Sequence, residues 1–236
     1  MKTLSIDIET YSEASLSSTG VYRYAADPSF TILLFAYSVD GEPVQIVDLA
    51  QGESLPAEVE AALSDPSVQK WAFNAQFERV CLSAYLGERL DPRGWYCSMV
   101  WSTYAGIPLN LAGVAQALHL ETEKMTEGKD LIRKFSQPCK ATKTNGGRTR
   151  NLPEHAMEDW ATFKAYCIRD VEVERAIASR LAPLPMPSFE WENYWRDQRF
   201  NDLGVGIDVE LASKAVEADL EIKEALYTQM RHWTGV

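Results

Sequence analysis

An α/β fold is predicted, a sheet flanked by helices with a small helical extension at the C-terminal end. Three features point to it. Apolar strands with period-two alternation occupy the first part of the chain, helical spacing takes over from Leu111 onward, and Pro183, Pro185 and Pro187 separate a last pair of helices from what precedes them. With 236 residues and 46% hydrophobic content, the chain is long enough to bury one sizeable core.

The first element is a strand over Thr3–Glu9, where Leu4, Ile6 and Ile8 alternate with Ser5, Asp7 and Glu9. Thr31–Val39 and Val44–Asp48 read as two further strands around a turn at Asp40-Gly41. Val59, Ala62 and Leu63 after Pro56 indicate a short helix. Val68–Phe73 has the character of a buried strand, and Asn74 is a candidate N-cap for a helix carrying Phe77, Val80, Cys81 and Ala84 on its apolar face. Helices are predicted at Leu111–Leu118 and from Glu154 to about Leu181, the latter because Phe163, Cys167, Ile177 and Leu181 keep helical spacing. Gln137–Asn151, rich in glycine, threonine and asparagine, reads as a mobile surface loop. The first domain is expected to span 1–183. The remainder, 184–236, holds helices from about Phe189 to Leu203 and from Val209 to about His232.

The longest apolar run, Ile32–Tyr37, is far short of the roughly 20 residues a membrane helix needs, so no membrane partner is expected. The N-terminus reaches Asp7 and Glu9 before any apolar stretch forms, which predicts no secretory signal and a cytoplasmic protein. Cys81, Cys97, Cys139 and Cys167 are widely spaced, and His119, His155 and His232 lack ligand spacing, so a zinc site is not expected. The net charge of −11 conceals a local reversal. From Lys124 to Arg150 eight basic residues face two acids, a local charge of +6, which leaves −17 on the rest. A basic solvated loop explains that segment as well as a phosphate-binding surface does.

On a strand, residues two apart point the same way, which sets the Asp7 and Glu9 carboxylates roughly 6 to 7 Å apart on one face. Mg²⁺ or Mn²⁺ suits such a pair, because hard divalent ions prefer oxygen ligands. Taken alone, Asp-x-Glu is more often a solvated polar face, since such pairs are frequent in any acidic protein. Tyr166 and Asp170 are four apart on a helix and share a face, with Asp170 continuing the apolar register of Phe163 and Cys167. Glu78 stands near a helix start, where the helix dipole stabilises an acid without any catalytic purpose.

Taken together, Asp7-Ile8-Glu9, Asn74-Ala75-Gln76-Phe77-Glu78 and Tyr166-Cys167-Ile168-Arg169-Asp170 resemble the three motifs of the DEDDy 3′→5′ proofreading exonucleases. That resemblance implies a ribonuclease H-like mixed sheet flanked by helices. Gly20-Val21-Tyr22-Arg23-Tyr24, the stretch from Pro138 to His155, and Arg199 through Asp208 are similar to the bacteriophage and prophage type of family A DNA polymerases. The last helices then correspond to the start of a polymerase thumb, and the chain is expected to be a fragment or truncated product without palm and fingers. One departure is Glu78, where the second motif usually ends in aspartate.

By the family pattern, Asp7, Glu9, Glu78 and Asp170 hold two divalent ions, Mg²⁺ or Mn²⁺. Asp7 bridges both, Glu9 and Asp170 hold the first, and Glu78 supports the second through water, while Tyr166 orients the attacking water. The implied substrate is a single-stranded DNA 3′ end or a frayed primer terminus in a bacterial or phage-infected cell. Thr10, Asn74, Phe77, Lys143 and Arg148 are the candidate nucleic-acid contacts. Phe73 is a further candidate, although both phenylalanines also suit a core. An RNA-trimming nuclease of the same fold and a non-catalytic module that docks on DNA or on a polymerase are the alternatives.

Overall fold

The computed structural model of the chain describes residues 1–120 and 128–235. Lys124 and Glu127 of the basic segment lie outside the described residues. Five strands, β1 (Thr3–Tyr11), β2 (Thr31–Val39), β3 (Gln45–Asp48), β4 (Gln69–Ala72) and β5 (Trp95–Cys97), form one sheet in the order β3-β2-β1-β4-β5. Pairings of β1 with β2 and β2 with β3 are antiparallel, whereas β1 with β4 and β4 with β5 are parallel, so the sheet is mixed as expected. The turn after β2 needs two residues at positive φ, which Asp40 (49°) and Gly41 (88°) supply; Asp40 also accepts hydrogen bonds from the backbone N–H of Lys2 and Thr3 at 2.7 and 2.8 Å.

The period-two alternation of β1 divides its residues between two cores. Leu4, Ile6 and Ile8 pack with Phe35 and Tyr37 beneath three helices, α1 (Leu16–Ala25), α2 (Ala57–Ser64) and α3 (Ala75–Leu86). On the opposite face, Leu34 and Ala36 of β2 and Tyr11 of β1 pack with Leu131 and Phe135 of α6 (Gly128–Phe135) and with Trp160, Phe163, Cys167 and Val171 of α7 (Met157–Leu181). A bulge between Glu9 and Thr10 pairs Glu9 with Leu34 and Thr10 with Ile32, leaving Leu33 as the extra residue on β2. Beyond it Thr10 faces α1 and Tyr11 faces α7. Each fully buried aliphatic or aromatic side chain contributes roughly 2 kcal/mol here.

A third cluster joins α4 (Ser98–Tyr104), α5 (Leu111–Ala117), the end of α7 and α8 (Ser188–Leu203) through Trp101, Val114, Ile177, Leu181 and Trp191. Here Trp71 of β4 stacks on Tyr96 at 4.8 Å, and the Trp195 indole N–H donates to the Trp95 carbonyl at 2.8 Å. Two compact units result, Met1–Gln198 and Arg199–Val236. Their division falls inside α8 and does not coincide with the proline run, because Trp191 and Trp195 anchor the front of α8 to the sheet side. The second unit carries α9 (Val209–Thr234), capped by the Asp208 carboxylate, which accepts from the Leu211 N–H at 2.9 Å. Among the described residues no helix is long and apolar enough to cross a membrane.

The segment Gln137–Asn151 differs from the loose loop its composition suggests. Asn145 organises it: its side chain accepts from the Thr142 N–H at 2.9 Å and donates to the Lys140 and Arg148 carbonyls at 2.9 and 3.2 Å. The Asn151 amide then ties the loop to the Lys134 carbonyl at 2.9 Å. Asparagine in such a turn replaces missing backbone partners, a role that composition alone does not distinguish from exposure.

Candidate active site

Three elements deliver the predicted acids to one place. The face of β1 opposite its Leu-Ile-Ile stripe presents Asp7 and Glu9, and α7 lies across that face. Its Cys167 thiol donates to the Asp7 carboxylate at 3.3 Å. Asp170, three residues on along the same helix, is close enough that its charge pushes up the pKa of both Asp7 and Glu9. From the far end of β4, α3 brings in Glu78, which is 3% exposed and responds to the charge on Asp7. Asn74 makes this turn possible by adopting a left-handed conformation (φ 75°, ψ 45°) just before α3, while its side chain makes no cap hydrogen bond. The expected side-chain cap is therefore absent; what asparagine supplies is tolerance of positive φ.

Electrostatics at the site are one-sided. Burial raises Asp7, Glu9 and Glu78 well above the usual carboxylate range, and neighbouring acids add to the rise. Asp170 is raised to about 6 by burial, partly countered by the Tyr166 hydroxyl beside it. Tyr166 is itself pushed far up, first by burial and then by Asp170 and Glu9, so the phenol stays neutral. Two carboxylates ~6 Å apart repel by ~3 kcal/mol at an effective dielectric constant of ~20. Among the described residues none of the four acids forms an ion pair, and one oxygen of Glu78 has no hydrogen-bond partner although buried.

An orphaned buried carboxylate oxygen within a desolvated, all-oxygen donor set fits a hard divalent cation. Among the described residues, no three His, Cys, Asp or Glu side chains stand as a ready-made metal cage.

Tyr166 is held from two sides. Its ring lies parallel to that of Phe163, with centroids 6.5 Å apart, and its other neighbour is Gly128 at the start of α6, where a Cβ would fall 2.2 Å from the tyrosine Cε2. No other residue fits at position 128 without moving the ring. The remaining candidates are more scattered. The Thr10 hydroxyl faces inward to the Tyr24 hydroxyl at 2.8 Å, Phe77 is half-buried and packs beside Tyr24 at 6.1 Å, and Phe73 is half-buried against the Trp101 cluster. Asn74 and Lys143 are exposed. Arg148 turns back into its own loop, donating to the Asn151 side chain at 2.9 Å and the Asn145 carbonyl at 3.2 Å.

Two residues stand out that the motifs do not include. Glu174, one turn beyond Asp170, is 2% exposed, and neither carboxylate oxygen has a hydrogen-bond partner. Burial lifts it to about 7 against the pull of the Ser98 and Ser5 hydroxyls nearby. A signal existed for it, because Glu174 falls on the stripe of Phe163, Cys167, Ile177 and Leu181, where an apolar side chain belongs. Arg150 lies over the Tyr11 ring with its guanidinium 3.9 Å from the centroid, two residues along β1 from Glu9. Nothing local in the sequence marks it among the eight basic residues of its segment.

A DNA polymerase of Bacillus phage SP02 is 50% identical over 236 residues, which is 100% of this chain and 36% of that protein. The chain thus spans about a third of the curated relative it matches. Among solved structures, Trypanosoma brucei RNase D matches with a TM-score of 0.53 at 19% identity, over 84% of this chain and 64% of that one. Escherichia coli RNase D, an exoribonuclease involved in structured RNA processing, matches with a TM-score of 0.50 at 14% identity, over 87% and 46%. No protein-family model matches the chain. The shared architecture is the ribonuclease H-like fold.

Proposed function

This chain is a homologue of part of a phage DNA polymerase and has a ribonuclease H-like fold, and from that premise we propose that it is a 3′→5′ exonuclease that removes nucleotides from DNA ends, the proofreading part of such a polymerase. The observation that carries the reading is the gathering of Asp7, Glu9, Glu78 and Asp170, distant in sequence, into one desolvated cluster beside a neutral Tyr166.

Asp7, Glu9, Glu78 and Asp170 would hold two Mg²⁺ or Mn²⁺ ions, which when bound supply the charge that activates a water and stabilises the departing 3′ oxygen. Tyr166 offers one hydrogen bond to that water while remaining neutral, and Asp170 fixes the direction of its hydroxyl. Phe77 and Asn74, just before Glu78, suit contact with the terminal nucleotide, and exposed Lys143 suits contact with the strand, whereas Arg148 and Thr10 are engaged within the fold. Contacts of this kind do not read sequence, which suits an enzyme that must remove any nucleotide. The work would be done in the cytoplasm of an infected cell, with a polymerase body as partner.

The relation to a DNA polymerase favours DNA over RNA as substrate. Incubating a 3′-labelled single strand of DNA, and in parallel of RNA, with Mg²⁺ and with EDTA tests the proposal. Stepwise shortening of DNA is expected, abolished by the chelator and by Asp7→Ala in a chain that still folds. Shortening of RNA alone would reassign the substrate, and no shortening under any divalent ion would leave a docking module.

A further inference from the structure

Glu174 is the least explained group in the fold. A buried carboxylate without a hydrogen bond or ion pair is costly, and structures retain one only where something satisfies it. Its neighbours do so only weakly. Arg175 turns the other way, donating to the Glu42 carbonyl at 2.9 Å and to that of Gly41, and the Ser98 and Ser5 hydroxyls lie near enough to pull its pKa down without making a hydrogen bond of ordinary geometry. Position supplies the explanation. α7 runs antiparallel to β1, so that Cys167 meets Asp7 and Glu174, two turns later, comes level with Ser5 on the same strand face. There its charge is felt by both Asp7 and Glu78. A fifth buried acid thus acts on the charge of this cluster.

We propose that Glu174 is a fifth acid of the cation site, a positioning residue whose carboxylate accepts hydrogen bonds from water bound to the ions that Asp7 and Asp170 hold. The inference rests on the metal-dependent reading given under Proposed function. Its carboxylate adds negative charge where the ions sit, and its open lone pairs give their water a fixed direction.

Mn²⁺ binding to the 236-residue chain, read from the loss of the free-ion paramagnetic resonance signal, tests it. Glu174→Gln is expected to bind roughly tenfold more weakly than wild type, since one nearby unit charge is lost. Glu172→Gln, which removes an exposed acid paired with Arg169 at 3.0 Å on the same helix, should stay within about twofold of wild type. Metal-free Glu174→Gln should melt at or above the wild-type temperature. Equal Mn²⁺ affinity in wild type and Glu174→Gln overturns the proposal, and so does a metal-free Glu174→Gln chain that melts lower or fails to fold, because the carboxylate would then belong to the packing. Failure of Mn²⁺ to bind wild type at all overturns the metal reading itself, whereas tight binding that ignores Glu174 overturns only this inference.

Discussion

The Cys167 thiol donates to the Asp7 carboxylate across 160 residues of sequence, at 3.3 Å. This contact sets α7 at the level of β1 where the acids lie, and it makes Cys167 a neutral donor: burial, then the Asp7 and Glu9 charges, hold its thiol far above the normal range. Helix and strand are thus joined at the site itself, and the energetic character of the pocket follows from the join.

Neutralising one acid should stabilise the metal-free protein while abolishing its proposed activity. In Asp170→Asn the carboxylate that raises Asp7 and Glu9 is gone, so the metal-free chain is expected to melt higher, by on the order of 5 °C. Nuclease rate should fall ~100-fold or more. Calorimetry and a labelled-strand assay on the same preparation decide it; a lower melting temperature would mean that Asp170 supports the fold.

The same repulsion makes stability depend on pH in an unusual direction. Asp170 at about 6 and Glu174 at about 7 are raised above their unfolded values, as are Asp7, Glu9 and Glu78. Between roughly pH 4 and pH 7 the folded state therefore binds more protons than the unfolded one, and stability is lost as pH rises. Metal-free protein should melt lower at pH 7.5 than at pH 5, with Mg²⁺ or Mn²⁺ restoring stability mainly at the higher pH. Melting temperatures that rise across this window in EDTA would contradict the assignment.

Tyr166 gives a kinetic prediction with an internal control. Tyr166→Phe removes the hydroxyl beside Asp170 and should lower kcat about 10- to 100-fold with little change in KM. Gly128→Ala puts a methyl where the ring now sits, so it should reproduce that kcat loss although position 128 carries no chemistry. Because both act through one ring, the double variant should be scarcely worse than Tyr166→Phe alone. Additive losses would mean that Gly128 acts elsewhere.

Much of this site was legible in the sequence because its motifs are local. Asp-x-Glu on an alternating strand and Tyr-x-x-x-Asp on a helix need only period two and period 3.6 to define their faces, and β1, β2 and α7 follow those periods. What was illegible depends on partners far away in sequence. Short α4 and α6 emerge from packing against α7, β5 is only Trp95–Cys97, and α1 contains Gly20 at φ 74°. Glu174 is hard to read for a different reason: in a chain with 34 acids, one more glutamate on a helix reads as solvated unless its place on the apolar stripe is weighed.

Arg150 brings one cation of the basic segment against β1, over the Tyr11 ring. Its guanidinium stacks on Tyr11, so the side chain is oriented by the ring, an arrangement in which a terminal guanidinium suits a phosphate. Arg150→Ala should weaken single-stranded DNA binding several-fold and flatten the dependence of log affinity on log salt by about 0.7, the share of one phosphate on a single strand. Arg150→Lys should keep the salt slope yet bind less tightly, since an ammonium cannot stack and fork together. Fluorescence anisotropy in Ca²⁺, chosen to suppress cleavage, measures both quantities across a salt series. An unchanged slope in Arg150→Ala would place the strand away from Tyr11 and leave Arg150 as packing for β1.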